Sequence, residues 1–281
     1  MSADFTPGAI DVQAHELVAH LLRATDQDSP GPVDIAALLA RLRLSVLKFD
    51  FASNLPKALL AQATSPRALL SFRDRLIALD ENLKEPRARF SCLHEVAHYV
   101  LPNHQHAFYL CDERGMSQGT SLSLEAEANR FAADLMFKAG HFTREANDSK
   151  PSAKTIKSMA HRYGASFEAT ARRLVEKNLR PVMLMVFARD TVGVLTDQGA
   201  AATWQVRYCA ASASFCARYF SELRGEVPAD VARALEQGDG DIGESIPGTI
   251  EIPGSAPGSL VFRVEWFWNT WNIMGLVRPA H

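Results

Sequence analysis

Apolar residues recur at helical spacing from the first stretch of the chain. Ile10, Leu17, Val18, Leu21 and Leu22 share one stripe, which predicts a helix over residues 10–25 closed by the polar loop Asp26–Pro32. Residues 33–43 repeat the pattern as a second helix, and Leu44–Phe51 reads as a strand. Ala68–Phe72 and Leu76–Asp80 read as strands about the turn Arg73-Asp74-Arg75. Phe90, Leu93, Ala97 and Val100 form the next helical stripe, with Pro86 suited to its first position and Pro102 ending it. Leu124, Ala128, Phe131 and Leu135 mark a further helix, in which Ala128 and Ala132 are small enough for another helix to approach closely.

The second half changes character. Asn147–Ser152 reads as a linker. Thr155–Tyr163 and Phe167–Lys177, joined by Gly164-Ala165-Ser166, have the helix–turn–helix pattern, with Ile156, Met159, Ala160, Ala169, Leu174 and Val175 as apolar positions. Lys154, Lys157, Arg162, Arg172, Arg173 and Lys177 make this segment locally basic. Beyond Arg180, Val182–Ala188, Val192–Leu195 and Trp204–Cys209 are strand-like, while Phe215–Leu223 and Ala229–Gln237 suit helices. Gly238–Ser259 is rich in glycine and proline and reads as a long loop, and Leu260–Trp268 alternates as a strand. Trp266, Phe267, Trp268 and Trp271 concentrate aromatic residues there, which fits a buried strand pair better than a binding surface.

Composition narrows the classes. The 281 residues can bury a sizeable core and suffice for two domains. A net charge of −2 implies no strong field for nucleic acid or membrane. No apolar run approaches a membrane span, and Met1–Phe5 lacks the charged-then-apolar pattern of a signal peptide, so a cytoplasmic location is expected. Cys92, Cys111, Cys209 and Cys216 show no metal-type spacing and are expected to be reduced thiols, Cys92 and Cys111 as packed small residues.

The chemistry concentrates in His94-Glu95-Val96-Ala97-His98, an H-E-x-x-H motif. Histidines four apart lie on one face of a helix, one turn from each other, and can share one tetrahedral Zn²⁺. Glu95 points about 100° round the helix, where it can take a proton from a metal-bound water. A catalytic zinc needs a third protein ligand, and a glutamate on the helix after it would complete the set. Glu125 and Glu127 both compete, and helical phase does not separate them. Asn129, four residues after Glu125, favours Glu125, because a hydrogen-bonding residue there can orient a metal-bound histidine. His104, His106 and Tyr109 after the metal helix, and His141 and Tyr163 further on, are candidates to stabilise an oxyanion. A strand just before the metal helix also suits a substrate laid along a sheet edge.

Arg87-Ala88-Arg89-Phe90-Ser91-Cys92-Leu93-His94-Glu95-Val96-Ala97-His98-Tyr99-Val100-Leu101 resembles the R-x-R-F-[ST]-x-x-H-E-[LV]-[GA]-H-x-[LI]-L motif of the ImmA/IrrE family of zinc metallopeptidases. Glu125-x-x-Ala128-Asn129-x-Phe131-Ala132-x-x-Leu135 is similar to its E-x-x-A-[ND]-x-F-A-x-x-L. Pro32-Val33-Asp34-Ile35 with Leu38, Leu44 and Val46 is similar to its opening segment. The resemblance covers about residues 30–180. It departs at Arg43, where the family has a glycine, and at Leu135-Met136-Phe137-Lys138, where the family has L-L-M-P.

The resemblance implies a cytoplasmic zinc endopeptidase that cleaves a helix-turn-helix transcriptional repressor and so releases stress-response or mobile-element genes. It implies His94, His98 and Glu125 as ligands and Glu95 as general base. The fold expected is α+β. A mostly helical zincin-like peptidase domain with a small sheet spans 1–146, a helix-turn-helix-like segment 152–180, and a C-terminal α/β domain with a regulatory or docking role 181–281. The expected partner is a protein substrate rather than DNA or membrane. The rival expectation is a metal-containing DNA- or protein-binding regulator without peptidase activity.

Overall fold

A computed structural model describes residues 7–54, 67–102, 104–105, 118–190, 203–219, 227–237, 245–253, 259–269 and 271–280. The architecture is α+β with two small sheets. The chain divides into two compact units, Met1–His141 with Arg162–Ala165, and Phe142–His161 with Ser166–His281.

In the first unit, α1 (Pro7–Ala24) buries Val18, Leu21 and Leu22. The loop behind it is tied by the buried Gln27, whose side chain accepts from Asp34 N at 2.6 Å and donates to Asp34 O at 3.0 Å. Asp34 then caps α2 (Ile35–Leu42) by accepting from Ala37 N. The turn expected after α2 forms although Arg43 stands at it. Arg43 takes the left-handed conformation, φ 55°, and its N–H reaches back to Ala40 O and Leu39 O.

β1 (Ser45–Phe49) follows, then the short α3 (Phe51–Asn54), β2 (Ala68–Ser71) and β3 (Leu76–Asp80). The sheet order is β1-β3-β2, with β1 parallel and β2 antiparallel to β3. The turn between β2 and β3 is held by Ser71 Oγ and the Asp74 carboxylate at 2.7 Å.

α4 (Glu85–Val100) opens on Pro86, a residue whose missing N–H costs nothing in a first turn, and packs on β2 and β3. Its buried face is Cys92, Leu93, Val96, Ala97 and His98. α5 (Gln118–Met136) lies against it. Ala97, Ala128 and Ala132 are all fully buried, so the small side chains do let the two backbones close up. Arg89 anchors α4 at its start, donating from Nη2 to Val33 O at 2.7 Å, and lies against Gly164, where a Cβ would meet Arg89 Nε at 3.0 Å.

The second unit holds α6 (Gly140–Asp148) from Phe142, then α7 (Ala153–Tyr163) as far as His161, and α8 (Phe167–Glu176). The hydrophobic pattern gave no notice of α6. Residues 147–152 are not a free spacer. Asn147 accepts from Leu179 N at 2.7 Å and donates to Lys177 O at 2.9 Å, and Pro151 is buried. Gly164, φ 62°, makes the left-handed turn before α8, and Ser166 caps it.

Five antiparallel strands build the second sheet. They are β4 (Met183–Asp190), β5 (Thr203–Ala211), β6 (Ile246–Pro253), β7 (Ser259–Trp268) and β8 (Asn272–Pro279), in the order β5-β4-β8-β7-β6. Alternating side chains of β4 and β8 fill both faces. Met183, Met185, Phe187, Ile273 and Val277 join Phe215 of α9 (Ala213–Arg218) and Val231 of α10 (Ala229–Gln237) in one core. On the other side, Phe167 of α8 meets Phe267 edge-on at 5.4 Å.

Two expectations are corrected here. Gly238–Ser259 is not one long loop, because β6 occupies its middle. Among the described residues β6 pairs only with β7, so Pro247 and Pro253 sit in an edge strand, where a missing N–H is tolerated. Gly248 leaves room for the Trp266 indole, since a Cβ there would come within 3.1 Å of its Nε1. The aromatic group also divides: Trp266 and Phe267 are buried, whereas Trp271 is 69% exposed. The predicted helix Phe215–Leu223 ends at Arg218 among the described residues, and Val192–Leu195 lies outside them.

Candidate metal centre

α4 presents His94 and His98 one turn apart, and their Nε2 atoms stand 3.1 Å from each other. α5 brings Glu125 across from them. Its Oε2 lies 3.2 Å from His94 Nε2 and its Oε1 3.4 Å from His98 Nε2. The ligand atoms of these three residues all fall within 4.8 Å of one another. Two imidazoles and a carboxylate suit a divalent zinc-type ion. Crowding three such groups together is costly unless a cation or shared protons neutralise them. His94 Nδ1 adds to this, for it is buried and has no hydrogen-bond partner. The residues present therefore fit a metal.

The electrostatics follow from this geometry. Burial pulls the His94 imidazole down, but its hydrogen bond to Glu125 and the charges of Glu95 and Glu125 outweigh that, so its pKa rises overall. Asn129 lies beside His94 and acts in the same direction. Hydrogen bonds from His94 and His98 hold the Glu125 carboxyl far below the usual range. Glu95 moves the other way, pushed up by burial and by Glu125 against the pull of the histidines. Glu95 is thus a half-buried carboxyl of raised pKa one position from His94.

The two glutamates that the sequence left in competition take different places. Glu125 faces the histidine pair, whereas Glu127 Oε2 lies 3.3 Å from His104 Nε2. His104 itself is fully buried, and its Nδ1 is 2.9 Å from His98 Nδ1. It stands behind a ligand rather than in the open site, so it is not placed to meet an oxyanion. His141 is engaged elsewhere, with Nε2 2.9 Å from Asp28 Oδ1, and Tyr163 is fully buried, near Phe137 at 6.3 Å. His106, Tyr109 and Cys111 lie outside the described residues. Cys92 is buried, and burial with the Glu95 charge pushes its thiol up to about 11, which keeps it protonated. The pairing of His104 with His98 was not foreseen. The available signal was a histidine just past the proline that ends the metal helix, where the chain turns back with His104 N on Leu101 O.

The second of the two basic helices, α8, is also committed to its own unit. Glu168, in the first turn of α8, accepts from Tyr208 Oη at 2.9 Å, Arg207 Nη1 at 3.2 Å and Asn272 Nδ2 at 2.8 Å. The end of α8 that a helix–turn–helix would offer to base edges thus rests on β5 and β8.

Comparison with known proteins places this centre. Residues 50–175 match the Peptidase_M78 family model, described as an IrrE N-terminal-like domain. A solved structure described as a Mycobacterium tuberculosis transcriptional regulator is similar over 96% of this chain and 76% of that chain, at 14% identity and a TM-score of 0.55. That likeness is one of fold. No curated protein matches the sequence.

Proposed function

We propose, from the match of residues 50–175 to the IrrE N-terminal-like domain model of the Peptidase_M78 family, that the protein is a zinc-dependent, site-specific endopeptidase. Its proposed substrate is a helix-turn-helix transcriptional repressor, whose cleavage releases stress-response or mobile-element genes. The observation that carries the reading is the convergence of His94 Nε2, His98 Nε2 and the Glu125 carboxylate, with Glu95 on the same helix as the histidines.

His94, His98 and Glu125 would hold the metal. Bound there, Zn²⁺ would supply Lewis acidity that makes a water easier to deprotonate. Glu95 would take a proton from the attacking water and give it to the leaving amine. Its burial suits this cycle, because it makes the carboxylate a better proton acceptor than an ordinary glutamate. Asn129, which lies beside His94, would help to orient it. A cytoplasmic setting goes with this reading. No described helix is long and apolar enough to cross a membrane. Residues 181–281 are assigned to regulation or substrate docking.

A second reading, a metal-containing regulator without peptidase activity, is favoured by the similar structure's description as a transcriptional regulator. The test separates the two. Zinc-loaded protein is incubated with purified helix-turn-helix repressors and the products are read by mass spectrometry. A single cut made by the wild type and not by Glu95→Gln supports the peptidase. A salt-sensitive shift of DNA with no cut would replace it with the regulator.

A further inference from the structure

We infer that His104 and Glu127 are positioning residues for the metal centre, forming with His98 a directed chain of hydrogen bonds that fixes how His98 presents Nε2. This rests on the proposed metal-binding role of His94, His98 and Glu125.

Proton counting sets the direction. His98 Nδ1 and His104 Nδ1 are 2.9 Å apart, and two imidazole nitrogens at that distance share a single proton. A histidine that ligates through Nε2 offers a lone pair there, so its proton must sit on Nδ1. His98 is therefore the donor and His104 Nδ1 the acceptor. A neutral His104 then carries its own proton on Nε2, the atom 3.3 Å from Glu127 Oε2. Each link fixes the next, and the chain ends on a carboxylate. Reversing either proton would put one on His98 Nε2 and remove the lone pair that a metal needs.

The surroundings favour this arrangement. His104 has no exposed surface, and the Glu127 side chain is only 16% exposed, so water does not compete for these bonds. A carboxylate pulling on the far end of the chain raises the electron density of His98, as carboxylate–histidine pairs do at zinc sites. The chain also explains why Glu125 and Glu127, two residues apart on α5, are both used: one faces the open side of the histidine pair and the other the closed side.

The experiment uses full-length protein. In the zinc-loaded wild type, long-range ¹H–¹⁵N correlations should show His98 protonated at Nδ1 and His104 at Nε2. Competition titration with a chelator should show His104→Phe binding zinc roughly 10–100-fold more weakly than the wild type. Glu127→Gln, which keeps an acceptor and loses the charge, should fall between the two. His104 protonated at Nδ1 in the loaded protein would overturn the inference, and so would wild-type affinity in a folded His104→Phe. Should His104→Phe fail to fold, the wild-type tautomers decide alone. A wild type that binds no zinc removes the peptidase reading and this inference together, whereas tight zinc in both proteins removes only the inference.

Discussion

Glu125 Oε2 lies 3.2 Å from His94 Nε2, and the other oxygen of the same carboxylate lies 3.4 Å from His98 Nε2. One residue of α5 thus closes a triangle on two residues of α4, and removing it should cost the site more than removing any neighbour. Glu125→Ala is expected to weaken zinc by more than roughly 100-fold, a larger loss than any single hydrogen-bonding partner behind the ligands would cause. Calorimetric titration of the metal-stripped protein checks this. Equal affinity in Glu125→Ala and wild type would mean that the ligand set is wrong.

The same contact sets a pH dependence. The hydrogen bond to Glu125 helps His94 keep its proton to a higher pH than an ordinary imidazole, near 6.5. Metal requires the neutral ring, so protons compete at the site as pH falls through that raised pKa. The Glu125 carboxyl moves the opposite way and stays ionised, so it adds no competition near neutrality. Zinc affinity should be level well above the His94 pKa and should fall about tenfold per pH unit below it. A chelator titration repeated from about pH 8 to about pH 6 measures the slope. A flat profile over that range would contradict the raised His94 pKa.

Glu95 separates binding from chemistry. It is not among the three residues whose ligand atoms converge, yet it lies beside His94 on α4. Glu95→Gln should bind zinc as the wild type does and lose roughly 10²–10⁴-fold in cleavage rate. His94→Ala should lose both. Cleavage at an undiminished rate by Glu95→Gln would remove the general base from the mechanism.

The metal helix was legible because its signals agree: an apolar stripe, a proline at each end and a fixed histidine spacing all describe one element. The choice between Glu125 and Glu127 was only half legible. Both lie at the edge of the buried stripe, and their separation depends on His104, which reaches the site by a turn after Leu101. Sequence spacing carries no record of that return. In the second unit, Gly248 and the prolines of β6 looked like loop residues. Pairing on one side only and the breadth of Trp266 make them strand residues, and neither fact is local to residues 246–253.

Arg43 carries a small, measurable strain. Its φ of 55° ends α2, and a side chain in the left-handed region costs about 1–2 kcal/mol relative to glycine. Glycine gives part of that back through the greater freedom of the unfolded chain. Arg43→Gly should therefore stabilise the protein by about 0.5–1 kcal/mol, seen as a higher denaturant midpoint with an unchanged slope. A lower midpoint would show that the arginine makes a contact worth more than the strain.

Trp266 gives the last test, in the second unit. The indole is 1% exposed and lies across its sheet neighbours, with β7 and β8 paired at Trp266 and Gly275. A Cβ on Gly275 would stand 2.8 Å from Trp266 Cζ3, inside any tolerated contact. The ring has little room to swing away, because the Gly248 backbone lies close along its other edge and the Phe187 ring centroid is 5.9 Å from its own. Gly275→Ala is therefore an overpacking change rather than a backbone one, and should destabilise by about 1–3 kcal/mol. Adding Trp266→Leu to Gly275→Ala frees the volume, so the double variant should lose less than the sum of the two single losses. Additive losses would show that the glycine serves the backbone and not the indole.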